Sequence, residues 1–243
     1  MRSSTVAAMG TYVLVHGGWS GAHGFRHVRT RLQRAGHEAF TPSLTGIGER
    51  AHLTSPEVGL GTHVRDVVNH VLYEDLDGIV LLGFSYGGLV VTGALEHLAD
   101  RVRHLVYLDA FVPDDGDSVF SLIGRPPVDL LALGQDWLVP PAPREFDDPA
   151  EAAFMQPRRI GHPIRCFAEP VRLARPLEDF AFGRTYIRAT ADAPDAPGTA
   201  VFDAAATRAQ TSDAWSYHEI ATNHMVPSNR PDELAAILLA LTA

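Results

Sequence analysis

Residues 81–91 read LLGFSYGGLVV: an apolar run breaks into Gly83-Phe84-Ser85-Tyr86-Gly87-Gly88 and then becomes apolar again. The run 78–84, GIVLLGF, is apolar at consecutive positions, which predicts a strand buried on both faces in the middle of a parallel sheet. A helix is expected from about 86 to 98. Between the two, the pattern G-x-S-x-G places Ser85 on a sharp strand-to-helix turn. Residues flanking such a turn must be tiny to avoid clashing across it. The serine hydroxyl then projects above the carboxyl edge of the sheet, and the N–H of Tyr86 points beside it, where it can stabilise an oxyanion. As a bare pattern G-x-S-x-G often arises by chance. The flanking strand and helix give it weight.

Working outward, TYVLVHGG (11–18) reads as a buried strand running into glycines, and 22–36 as a helix with Phe25, Val28 and Leu32 at helical spacing and Gly36 as its C-cap. A short strand at 37–42 stops at Pro42, a polar loop fills 43–59, and 62–75 carries a valine stripe typical of an amphipathic helix. A strand follows at 104–110. The rhythm returns with a strand at 184–190, a helix near 201–210, a strand at 215–220 and a closing helix from about 231. Alternating strands and helices imply a doubly wound, mostly parallel α/β sheet with helices on both faces. Residues 112–182 break the alternation: they are proline-rich, with short helical stretches and no convincing strand. A connection that long is best read as a cap inserted into a core formed by 1–111 and 183–243. Its apolar residues, among them Phe120, Leu131, Trp137, Leu138, Phe154 and Met155, are expected to be mostly cap core.

Composition excludes several classes. Apolar residues are 46% of the chain and charged residues 20%, ordinary for a soluble globular protein. The net charge of −9 argues against nucleic acid and anionic lipid as partners. Twelve histidines are scattered without HExxH spacing, so no metal is expected. The single cysteine, Cys166, rules out an internal disulfide and fits a reducing compartment. MRSSTVAAMG lacks the apolar core of a signal peptide, and no apolar stretch is long enough to span a bilayer. A cytoplasmic protein is expected, with residues 1–8 a tail and Met9 an alternative start.

The second glycine-rich stretch, HGGWSGAHG (16–24), follows the first strand. Its spacing is G-x-x-G-x-x-G rather than the dinucleotide fingerprint, the second strand ends without an acid for a ribose, and no P-loop is present. It suits an oxyanion loop, with the N–H of Gly18 as second donor beside Tyr86. His16 is expected to be structural, bonded to loop backbone. For a base, His224 stands in a loop (ATNHMVP) after the last strand, which brings it to the same sheet edge as Ser85. His27, His63, His70, His97 and His104 fall in helices or strand starts and read as structural or solvated. For the acid, Asp109 ends one strand and Asp192 follows another. Both respect the order Ser…Asp…His, and Asp195 is a third option.

These residues resemble the α/β-hydrolase superfamily, in the branch of plant hydroxynitrile lyases, methyl-salicylate esterases and related bacterial esterases. The resemblance runs nearly end to end, through YVLVHGGWSGAHGF, LTGIGERAHL, GFSYGGLVV, LVYLDAFVPDDG, RTYIRAT and NHMVPSNRPDELAAIL. It implies Ser85 as nucleophile, His224 as base, and the Gly18 and Tyr86 N–H groups as oxyanion hole. Plant members imply Asp192 as the acid; bacterial members imply Asp109. The lyases carry a Thr beside the oxyanion loop and a Lys after the catalytic His, where this chain has Gly17 and Met225. The expected activity is therefore hydrolysis of a small hydrophobic or aromatic ester, without cofactor. Cleavage of C–C or C–N bonds on the same triad, or a small-molecule receptor on a hydrolase scaffold, are the alternatives. The expected partners are a small-molecule ester and a second copy in a homodimer.

Overall fold

The computed structural model describes residues 9–132 and 134–242; the tail expected at 1–8 lies outside them. Six strands form one sheet: β1 (Thr11–Val15), β2 (Glu38–Phe40), β3 (Ile79–Phe84), β4 (Val102–Leu108), and, after the long insertion, β7 (Gly183–Ala189) and β8 (Ser216–Ile220). Their order is β2-β1-β3-β4-β7-β8, and every pairing is parallel. The apolar run 79–84 is indeed a central strand, buried at all six positions because both faces are covered.

Alternation along the strands divides the core into two layers. Val13, Val15, Leu81, Leu105 and Tyr107 face one side, and Tyr12, Leu14, Val80, Leu82, Val106 and Leu108 the other. The first layer packs under α2 (Leu60–Tyr73), α3 (Gly87–Leu98) and α7 (Thr199–Gln210). The second packs under α1 (Arg26–Arg34) and α9 (Pro231–Ala240), which contribute Val28, Leu32, Leu234 and Leu238. The helix expected over 22–36 begins as a 3₁₀ turn, Ala22–Phe25, and ends where Gly36 takes φ +89. The 43–59 loop also holds a 3₁₀ segment, Gly48–Leu53.

Among the described residues, 112–182 carry three short α-helices, α4 (Val119–Leu122), α5 (Pro149–Met155) and α6 (Arg165–Ala168), and two 3₁₀ turns. They also carry one feature the sequence reading did not foresee. Strands β5 (Leu138–Val139) and β6 (His162–Pro163) pair antiparallel. Two-residue strands have no periodicity to read, and Pro163 cannot donate to a ladder. Nor are all the apolar residues of this segment core: Phe120 and Met155 are buried, but Leu131 is 93% exposed and Leu138 41%. A last short helix, α8 (Val226–Asn229), lies just after the β8 loop. No helix among the described residues is long and apolar enough to cross a membrane.

Candidate active site

Ser85 occupies the turn between β3 and α3 with φ +55, a left-handed conformation that costs a non-glycine residue roughly 1–2 kcal/mol. Its surroundings show why the turn needs glycines. A Cβ on Gly83 would lie 2.6 Å from the Gly87 carbonyl oxygen, and one on Gly87 would lie 2.7 Å from the Val15 carbonyl oxygen at the end of β1. The strained peptide is tied down on both sides. Ser85 N–H donates to the Leu108 carbonyl at 3.2 Å, and the Ser85 carbonyl accepts from Gly88 N–H at 3.0 Å and Phe111 N–H at 3.3 Å.

His224 follows β8 and is 4% exposed. Its ring lies between Phe202, stacked at 5.2 Å and 5°, and Phe84, tilted at 4.9 Å. Two aromatic faces therefore set the plane of the imidazole, and its edges meet polar partners: Nε2 is 2.9 Å from Ser85 Oγ, and Nδ1 is 2.6 Å from Asp109 Oδ2. Asp109 is fully buried just past β4 and has φ +42. Its N–H donates to the Ile187 carbonyl at 2.7 Å. The other carboxylate oxygen accepts from Arg188 at 2.6 Å and from Ala189 N–H at 3.1 Å.

Asp192 lies close by without bonding to the ring. Its carboxylate is within 4.8 Å of a His224 nitrogen and an Asp109 oxygen, half-buried on the rim of a surface cleft of about 540 Å³. Asp195 is exposed. Among the three candidate acids, Asp109 is the one whose oxygen reaches Nδ1.

Arg188 gave no functional signal at the sequence level, although two arginines, Arg184 and Arg188, in an otherwise apolar strand RTYIRAT are a visible oddity. It is 5% exposed and bridges Asp109 to Asp203, with Nη2 2.7 Å from Asp203 Oδ1. Burial opposes its charge, but the two carboxylates outweigh that and raise its pKa.

On the other side of Ser85, the loop after β1 brings Gly17 so close that a Cβ there would lie 2.9 Å from Ser85 Cβ. The Thr characteristic of the lyases would not fit without displacing the serine. Gly18 is less constrained: its Cβ position meets His162 Nδ1 at 3.5 Å. Among the described residues, neither Gly18 N–H nor Tyr86 N–H donates to a protein acceptor, whereas the next amide, Trp19 N–H, is taken by His162 at 3.2 Å.

Three buried histidines surround this loop. His16 accepts Leu44 N–H at Nε2, so its Nδ1–H donates to the Gly17 carbonyl at 3.0 Å, the structural role expected from sequence. His63 donates Nε2–H to the Thr45 carbonyl at 2.8 Å, leaving Nδ1 to accept the Tyr86 hydroxyl at 2.9 Å. Burial lowers His16 to about 4 and His63 to about 3, and holds His162 well below its ordinary value. All three rings are neutral at pH 7.

Among the described residues, two donor clusters have the spacing a metal would need. In His63–His162–Cys166, both His63 nitrogens are already bonded and burial pushes the Cys166 thiol up, disfavouring the thiolate. In Asp109–Asp192–His224, both imidazole nitrogens are engaged. Neither cluster fits a resident ion without losing these bonds.

A model of the alpha/beta hydrolase family matches residues 12–237. The chain belongs to that family. Among curated relatives, the carbendazim hydrolyzing esterase of a Nocardioides strain is 48% identical over 117 residues, 48% of each chain. The match therefore spans about half the length of that relative. Putative methylesterase 19 of Arabidopsis thaliana is 26% identical over 184 residues, 73% of this chain and 66% of that one. Among solved structures, an extracellular alpha/beta-hydrolase from a Paenibacillus species superposes with a TM-score of 0.74 at 23% identity. It covers 96% of this chain and 99% of that one, a likeness of fold.

Proposed function

We propose that this hydrolase-family protein is a serine esterase that cleaves a small hydrophobic or aromatic carboxylic ester through an acyl-enzyme. The observation that carries the reading is the unbroken chain Ser85 Oγ–His224 Nε2 and His224 Nδ1–Asp109 Oδ2, at 2.9 and 2.6 Å, built on a strained serine at the carboxyl edge of the sheet. His224 Nε2 takes the Ser85 hydroxyl proton as Oγ bonds to the ester carbonyl carbon. The carbonyl π electrons move onto oxygen, which is held by the Gly18 and Tyr86 N–H groups. Collapse breaks the C–O bond to the alcohol, which leaves with the proton from His224. Water then repeats the two steps, releasing the acid and restoring Ser85. Asp109, accepting the Nδ1–H, fixes the tautomer and stabilises the imidazolium. We assign the acid to Asp109 rather than Asp192 on the strength of that contact.

The names of the relatives, an esterase that hydrolyses carbendazim and a methylesterase, favour an ester bond over a C–C bond. Gly17 and Met225, in the places where the lyases carry Thr and Lys, point the same way. The 112–182 segment is assigned as a cap over the site. The test is turnover of p-nitrophenyl acetate. Ser85→Ala is expected to lower kcat by roughly 10⁴-fold or more with the fold retained. Near-full activity in that variant would refute the serine mechanism.

A further inference from the structure

Trp19 stands directly after Gly18 with φ +58, an unusual conformation for a bulky residue. Such strain persists only where neighbours over-determine it. Here the β5–β6 pair supplies two hydrogen bonds to the same residue. Trp19 N–H donates to Nδ1 of His162 on β6, and the indole Nε1–H donates to the Val139 carbonyl on β5 at 2.8 Å. Both rings then pack together: Trp19 meets His162 edge-on at 5.9 Å and Phe167 at 5.2 Å, while His162 stacks on Phe167 at 4.4 Å. The residue beside the proposed oxyanion donor Gly18 is thus held from across the molecule, 143 and 120 residues away in sequence.

We propose that His162 is a positioning residue for the oxyanion loop: by accepting the Trp19 N–H it holds the strained residue in place and so aims the Gly18 N–H at the developing oxyanion. The inference rests on the esterase reading above. It assigns a catalytic consequence to the inserted segment, beyond the cap role proposed above. Two further observations agree. Occupying the Trp19 N–H removes it as a competing donor, while the Gly18 N–H beside it has no protein acceptor among the described residues. The ring must be unprotonated at Nδ1 to accept, and complete burial beside His63 and His16 keeps it neutral.

The test uses the full chain with p-nitrophenyl acetate as substrate and phenylboronic acid as a probe. Its tetrahedral adduct with Ser85 places an oxygen where the oxyanion forms. His162→Phe keeps an aromatic ring and deletes the acceptor. A misaimed donor is expected to lower kcat roughly 10- to 100-fold with little change in KM, and to raise the boronate Ki by a similar factor. A residue with a purely structural role would lower stability and leave the boronate affinity of the folded protein unchanged. His162→Asn, whose Oδ1 can stand near the position of Nδ1, is expected to restore kcat to within about fivefold of wild type.

Wild-type kcat and Ki in folded His162→Phe would overturn the proposal, as would an Asn variant damaged as badly as the Phe one. If His162→Phe fails to fold, His162→Asn decides alone: retained kcat supports the acceptor role, and a drop of roughly tenfold or more ends it. Failure of the esterase reading looks different. In that case the wild-type protein itself neither turns over the ester nor reacts at Ser85 with a fluorophosphonate, and the inference falls with it.

Discussion

Lowering the pH from 7 to 5 should destabilise this protein steeply, and the structure sets the size of the effect. His16, His63 and His162 are each at most 1% exposed and neutral in the native state, held so chiefly by burial. The groups facing them do not reverse this. Glu49 and Asp66 pull His16 upward while His23 pushes it down, and His16 and Arg50 push His63 down. In the unfolded chain each ring takes a proton below about pH 6.5. The unfolded state therefore binds more protons than the native state throughout this window, and stability falls as pH falls. For a ring that stays neutral when folded, the loss between pH 7 and 5 is about 2 kcal/mol. Three such rings give a loss of about 6 kcal/mol, a large share of the 5–15 kcal/mol typical of a domain. Carboxylates add little here, because their unfolded pKa values lie below the window. Urea denaturation followed by tryptophan fluorescence at matched ionic strength measures the difference directly, and His63→Gln should shrink it by about 2 kcal/mol, the share of one such ring. A stability that changes by less than about 1 kcal/mol over this range would show that the rings are not held neutral, and the packing argument would fail.

Asp109→Asn should reduce kcat for p-nitrophenyl acetate by roughly 10⁴-fold, whereas Asp192→Asn should stay within a few-fold of wild type; the opposite ranking would move the acid to Asp192. Arg188→Met removes the buried cation between Asp109 and Asp203 and should cost about 3–5 kcal/mol in chemical denaturation, because it leaves a buried carboxylate without its charge partner. An unchanged denaturation midpoint would remove Arg188 from the site's support. Gly17→Ala puts a methyl group 2.9 Å from Ser85 Cβ, and displacing the proposed nucleophile should lower kcat/KM by roughly tenfold or more with the melting temperature little altered.

The strand–turn–helix at 79–98 was legible in the sequence because its determinants are local. An unbroken apolar run, then tiny residues around one serine, leaves little else for the backbone to do. The same locality exposed β1 with its glycines and the loop after β8 carrying His224. Parallel topology followed from alternation, and with it the expectation that both residues lie on one sheet edge. Which carboxylate meets His224 was another matter. Asp109 and Asp192 both follow strands at that edge, and β4 and β7 are neighbours. The choice rests on the Asp109–His224 contact, which the left-handed turn at Asp109, its N–H bond to Ile187 and the Arg188 ion pair hold in place, the last two from some eighty residues away. His162 was less legible still. It stands on a two-residue strand without period, in a proline-rich segment, and touches Trp19 from 143 residues away. Local pattern determines which elements form and which residues sit at their ends. Only the packed structure decides which of those ends come within hydrogen-bonding distance.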